Sequence, residues 1–146
     1  MTYNVNRWRD EIIWAAGLFE GEGSIVWTSV PNKNKGKGSR YTRMQLSLHS
    51  TDKDVVVRFA NAVGVGSVQG PYRYPTKDVP NRKPSWYWAV ASHEPAQAAL
   101  AMFWPWLGLR RRAKAKEVLL LERAARPKKN LRNQKGRFTV WKEKQL

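Results

Sequence analysis

Cysteine is absent from the 146-residue chain, which removes disulfides, thiolate zinc sites and cysteine nucleophiles together. Histidine is almost as scarce. His49 and His93 fall in different expected elements without ligand-like spacing, so both are read as partly exposed structural residues rather than metal ligands. Long apolar runs are missing too: the longest, Ala98 to Trp104, stops at Pro105 and is far too short to span a bilayer. Residues 1–10 carry no apolar h-region of a secretory leader. A soluble, intracellular protein without a membrane partner is expected. Acid is the last scarcity, with 11 Asp+Glu against 27 Lys+Arg.

That imbalance gives a formal charge of +16 and a pI near 10.6, the electrostatic footprint of a nucleic-acid binder. An acidic membrane surface or an acidic protein partner is the weaker reading. The chain is 42% hydrophobic and 12% aromatic, which suits one domain with a true core and argues against wholesale disorder.

The most informative stretch is Trp14-Ala15-Ala16-Gly17-Leu18-Phe19-Glu20-Gly21-Glu22-Gly23-Ser24-Ile25. An apolar helical run ends in two carboxylates set among glycines, and a β-like segment follows at once. Aligned carbonyl dipoles make a helix C-terminus partly negative, so Glu20 and Glu22 sit where the local field disfavours them. Metal binding would explain acid in that place. Gly17 and Gly21, four residues apart, share one helix face and would let another backbone pack very close.

Along the chain, Asp10 and Glu11 are expected to open the first helix, which is apolar on more than one face and so buried nearly all round. Ser24 to Val30 reads as a strand, residues 31–40 as a mobile basic loop, and Tyr41 to His49 as a second strand. In that strand Thr42, Met44, Leu46 and Leu48 face one way; Tyr41, Arg43, Gln45, Ser47 and His49 face the other. Asp52 to Val63 has helical spacing and is stopped by Gly64-Val65-Gly66. Ser67 to Tyr74 is a strand broken by Gly70-Pro71, which implies a bulge or an edge. Ser85 to Ala91 is the fourth strand, Ser92 can cap a helix starting near Pro95, and a last helix runs from about Arg110 to Ala125. Trp27, Trp86, Trp88, Trp104 and Trp106 occupy core-pattern positions. Residues 126–146 hold eight Lys/Arg against one Glu and read as a basic C-terminal extension, with local strand or helix near Phe138 to Trp141 or, equally, a disordered solvated tail.

The Ala-Gly-Leu-Phe-Glu-Gly-Glu-Gly ending resembles the motif of the LAGLIDADG homing endonucleases, over roughly residues 8 to 125. Gly64 to Val68 and the Pro105-Trp106-Leu107-Gly108-Leu109-Arg110 turn also resemble single-motif members. The resemblance implies an α+β fold of order αββαββα with a curved four-stranded antiparallel DNA-binding sheet, occupying residues 1–125. One motif per chain implies a homodimer packed through Ala16, Gly17 and Gly21, acting on a pseudo-palindromic double-stranded DNA target. No small-molecule substrate is implied. Non-cleaving relatives of this fold, RNA maturases and DNA-binding regulators, are the alternative.

For the site, the resemblance implies Glu22 as ligand of a divalent cation, Mg²⁺ with Mn²⁺ able to substitute, assisted by the Gly21 carbonyl; oxygen-only ligation suits a hard ion. Members commonly carry Asp where this chain has Glu20 and Glu22, and the extra methylene shifts the oxygens. Glu20 is read as structural, a cap or an ion-pair member. Arg110 falls where the family places a basic residue near the scissile phosphate, and Asp52 where a polar residue positions water. Thr28, Asn32, Arg43, Gln45, Ser47, Ser67, Gln69, Arg73 and Tyr87 are the expected groove readers, with Arg43 suited to guanine and Gln45 or Gln69 to adenine. Lys33, Lys35, Lys37, Arg40, Arg82, Lys83 and Arg112 are the expected phosphate contacts.

Overall fold

The computed structural model describes residues 5–125 together with residues 131–132 and 138–139. Its elements run α1 (Val5–Glu22), β1 (Gly23–Pro31), β2 (Arg40–Ser50), α2 (Lys53–Val63), β3 (Ser67–Tyr72), β4 (Ser85–Val90), α3 (His93–Phe103), a 3-10 turn (Trp104–Trp106), α4 (Leu109–Ala125), β5 (Leu131–Arg132) and β6 (Phe138–Thr139). The first four strands form one antiparallel sheet in the order β1-β2-β4-β3. The α+β, αββαββα expectation holds.

Ile12, Ala15, Ala16 and Phe19 recur at helical spacing and are all buried, which seats α1 on the sheet. The helix starts five residues before the acidic pair expected to open it. Glu11 is used differently: Arg58 of α2 donates to both its oxygens at 2.9 Å while the guanidinium lies 3.9 Å over the Trp14 ring. Nor is α1 buried nearly all round, because Asp10, Ile13, Gly17 and Gly21 form an exposed row along it.

Phe19 sits at the centre of the core, stacked on Phe103 at 5.1 Å and edge-on to Trp88, which in turn meets Phe59 at 4.9 Å. Met44, Leu46 and Leu48 of β2 close the floor. Helix α4 packs across β1 and β2 through buried Ala115 and Val118. Strand β4 reaches β2 only as far as Leu46, and the Met44 N–H beyond it donates to Glu122 of α4 at 3.0 Å.

Helix α2 ends as expected, with Gly64 left-handed at φ 74° and its N–H donating to Ala60 O. Helix α3 begins at His93, directly after Ser92, because Pro95 is tolerated in a first turn whose N–H groups have no helical partner. Trp106 is 37% exposed, unlike the other four tryptophans expected in the core. Of the helix, strand or disordered tail weighed near Phe138, Phe138–Thr139 form a strand, β6, paired with β5; the rest of the basic extension lies outside the described residues.

Candidate nucleic-acid interface

The register assigns every outward side chain of the sheet. Val26 lies opposite Gln45, Thr28 opposite Arg43, and Val30 opposite Tyr41; Ser47 pairs with Ala89 and His49 with Tyr87; Ser67 pairs with Ala89 and Gln69 with Tyr87. These residues share the face turned away from the core, and no strand of this sheet contains Asp or Glu. Thr28, Arg43, Gln45, Ser67, Gln69 and Tyr87 therefore stand on one carboxylate-free surface. Ser47 holds its column but is only 8% exposed, since its short side chain lies between those of neighbouring strands.

Tyr72 is a member of this face that the alternation of the sequence misses. Val68 pairs with Trp88 and Gln69 with Tyr87, yet Tyr72 pairs with Ser85, so β3 carries one extra residue at Gly70-Pro71. That shift reverses the inward–outward parity and moves the outward position from Arg73, which is exposed beyond the strand end, to Tyr72. His49, Tyr87, Tyr72 and Tyr74 then form a ladder of rings, with centroids 5.1, 5.4 and 6.0 Å apart. The Tyr87 and Tyr72 hydroxyls both donate to Gln69 Oε1, and Gln69 Nε2 donates to Ser67 Oγ at 3.4 Å. Burial, reinforced by the neighbouring Tyr72 hydroxyl, pushes the Tyr87 phenol above its ordinary value. It remains a neutral donor.

The opposite end of the sheet carries the basic loop. Asn32 N–H donates to Ser39 O at 2.7 Å and closes it, leaving Lys33, Lys35 and Lys37 exposed. Arg40 is tied down, donating to Ser29 Oγ at 3.0 Å and Ser29 O at 2.7 Å. Val30, Asn32, Lys33, Tyr41 and Arg43 line a concavity of about 520 Å³. Arg43 Nε is buried there without a hydrogen-bond partner among the described residues, a guanidinium with donors to spare. Arg82 and Lys83 are exposed in the β3–β4 connection, at the other end.

The acidic junction divides between two jobs. Gly108 N–H donates to Glu20 Oε2 at 3.0 Å, and Arg111 Nε donates to the Glu20 carbonyl at 3.2 Å. Glu20 thus lies at the N-terminus of α4, where a carboxylate is favoured by the dipole. Glu22 is exposed and engages no side chain or backbone donor among the described residues. Gly23 follows immediately in β1, and a Cβ there would overlap the Phe19 ring; only glycine lets the chain pass straight from helix to strand.

Gly23 pairs with Leu48, so Glu22 stands at the sheet end reached by Ser50 and, two residues on, Asp52. Asp52 occupies the N-cap position of α2, but its carboxylate makes no capping bond. Arg110 leaves the Glu20–Gly108 junction exposed and without a partner among the described residues. Arg112 donates to the carbonyls of Trp104 and Pro105 at 3.1 Å each, which ties α4 to the 3-10 turn.

Among the described residues, a Cβ at Gly17 or Gly21 would meet nothing within 4 Å, so their row of α1 is open for close approach. Ala16 is not part of it. It is wholly buried in the chain's own core, one residue or 100° around the helix from Gly17. A groove of about 550 Å³ between α3 and α4 is lined by His93, Gln97, Lys116, Leu119, Leu120 and Arg123 and involves none of these groups. His93 Nδ1 lies 3.4 Å from Glu122, in keeping with a structural histidine. Among the described residues, no group of three or more His, Asp or Glu side chains could hold a metal by itself, and no helix is long and apolar enough to cross a membrane.

No family model matches the sequence, and no curated protein does. Solved structures do match. The homing endonuclease I-CvuI in complex with its target, in the presence of Ca, superposes at TM-score 0.63 with 20% identity, covering 82% of this chain and 70% of that one. The homing endonuclease I-TnaI gives 0.56 at 14% identity, covering 77% and 74%. The LAGLIDADG homing endonuclease I-GzeII, in complex with its DNA target, gives 0.55 at 16% identity, covering 77% and 36%. The chain has the LAGLIDADG homing endonuclease fold.

Proposed function

We propose that the chain is a site-specific endonuclease: a homodimer that lays two four-stranded sheets along a long, pseudo-palindromic DNA duplex and hydrolyses both strands between them with a divalent metal. The observation that carries this reading is Glu22. Glu11, Glu20, Glu117 and Glu122 each engage a donor or a basic group; Glu22 and Glu94 engage none among the described residues, but Glu94 lies in the first turn of α3, where the dipole favours it, whereas Glu22 stands at the C-terminus of α1 and at the end of a carboxylate-free sheet face. In a chain of charge +16, an unpaired carboxylate at the negative end of a helix is held against the local field. A divalent cation held there would remove that conflict.

Two Glu22 carboxylates and two Gly21 carbonyls, one of each per protomer, make an all-oxygen donor set that fits Mg²⁺ or Mn²⁺. When bound, the metal supplies Lewis-acid polarisation and a low-pKa water at the phosphodiester. The residues of the chain do the rest. The open Gly17–Gly21 row brings two copies of α1 together, and the tie between Glu20 and Gly108 fixes that helix end against α4. Arg110 neutralises the phosphate, and the uncommitted Asp52 carboxylate orients the attacking water. Arg43, Gln45 and the Gln69–Tyr72–Tyr87 group face the major groove, while Lys33, Lys35, Lys37, Arg82 and Lys83 contact flanking phosphates.

The test is cleavage of a randomised duplex library by the purified protein. One long, nearly palindromic site should be cut in Mg²⁺, and Glu22→Gln should bind that site without cutting it. Binding without cleavage in either Mg²⁺ or Mn²⁺ would refute the enzyme and leave a non-cleaving nucleic-acid binder.

A further inference from the structure

We infer that Gln69 is locked as a hydrogen-bond donor and therefore selects guanine, not the adenine that a free glutamine reads, at a base pair near the Glu22 end of each half-site. This rests on the proposed function, in which the outer sheet face lies in the major groove.

Reading adenine bidentately requires both ends of the amide, Oε1 accepting from N6 and Nε2 donating to N7. In this chain Oε1 is already occupied. Tyr87 and Tyr72 both donate to it, the latter at 3.3 Å, and an amide oxygen has two lone pairs. Nε2 has two N–H groups, of which one leans on Ser67 Oγ at the long distance of 3.4 Å. What remains for a base is donor character only.

Guanine presents two adjacent acceptors, N7 and O6, to such a group; adenine presents one acceptor beside an N6 donor, which meets the Nε2 donor and finds no lone pair to accept its proton. The rings enforce the arrangement. Tyr87 stacks on His49 at 5.1 Å and lies 5.4 Å from Tyr72, which stacks on Tyr74. Their faces are occupied by one another, so the ladder presents edges and hydroxyls and is no platform for unstacked bases. The pairing of His49 with Tyr87 and of Tyr87 with Gln69 puts this rung one residue beyond the Leu48–Gly23 pair. It is the rung at the level of Glu22.

The experiment is binding selection on a fully randomised duplex library with the whole 146-residue chain, comparing wild type, Gln69→Ala and the double variant Tyr72→Phe, Tyr87→Phe. Both phenylalanines keep the ring ladder, and a matching thermal melt checks that the fold is retained. The position at which Gln69→Ala loses its preference identifies the pair that Gln69 reads. Wild type should enrich guanine over adenine there about tenfold, and the double variant, with Oε1 released, should move the preference to adenine while other positions stay put. Adenine enriched by wild type, an unmoved preference in the double variant, or no position altered by Gln69→Ala would each overturn the inference and leave the endonuclease reading intact. A wild-type protein that enriches no duplex overturns that reading and the inference with it.

Discussion

Substituting Glu20 and Glu22 separately should divide stability from activity. Glu20→Ala removes the acceptor for Gly108 N–H and the carboxylate at the start of α4. Loss of a comparable cap costs about 1 kcal/mol, within a range of about 0.5–2. Glu20→Gln keeps an acceptor and loses only the charge, about 0.3–1 kcal/mol from the α4 dipole. For a chain of 146 residues each kcal/mol moves the melting temperature by about 4 °C. Glu20→Ala should therefore melt several degrees lower, and Glu20→Gln by a smaller margin. Both should still cut DNA at a temperature where they are folded.

Glu22→Gln should do the reverse. It removes a negative charge from the C-terminus of α1, so its melting temperature should be unchanged or slightly raised, while cleavage is lost and binding retained. Calorimetric melts and gel-based cleavage on one selected duplex read both quantities. A Glu20→Gln protein that melts like wild type but no longer cuts would refute this division and make Glu20 a metal ligand.

Gly17→Leu should fold, since a Cβ at Gly17 meets nothing within 4 Å, but sediment as a monomer and fail to cut; a dimeric, active variant would sink the paired-helix model. Phe19→Ala, which empties the space against Phe59, Phe103 and Trp88, should cost about 3–5 kcal/mol in urea denaturation. The hydrogen bonds from Arg58 hold the Glu11 carboxyl below its ordinary value. Its contribution is thus complete above the ordinary carboxylate range and lost as pH falls through the lowered folded value, so the urea midpoint of Glu11→Gln should fall less than that of wild type between pH 7 and pH 3.

Patterning was legible where the period stayed regular. The alternation of Arg43, Gln45 and Ser47 against Met44, Leu46 and Leu48 gives the two faces of β2 without further information, and Gly64 marks the end of α2. Legibility failed where one residue broke a period or where the partner was distant. The extra residue at Gly70-Pro71 exchanges Arg73 for Tyr72 on the outward face, and a proline flags a bulge without stating which neighbour gains the position. Arg112 reads as one more cation in a basic run until the carbonyls of Trp104 and Pro105 lie beside it. Ala16 reads as one of three small residues, and only the seat of the helix on the sheet decides which of the three are covered.

The Glu-Gly-Glu ending shows that helix geometry alone could have gone further. Successive residues of a helix turn by about 100°, so side chains two apart leave it on nearly opposite sides and cannot serve one ligand. The helix does persist through Glu22. Glu20 then turns toward its own chain, where Gly108 and the positive end of α4 receive it, and Gly21 extends the open row begun at Gly17. Of the two acids, Glu22 is the one with no partner among the described residues. The field that disfavours acid at the end of α1 acts on both carboxylates, but a second helix N-terminus offsets it for Glu20, and among the described residues no group does so for Glu22.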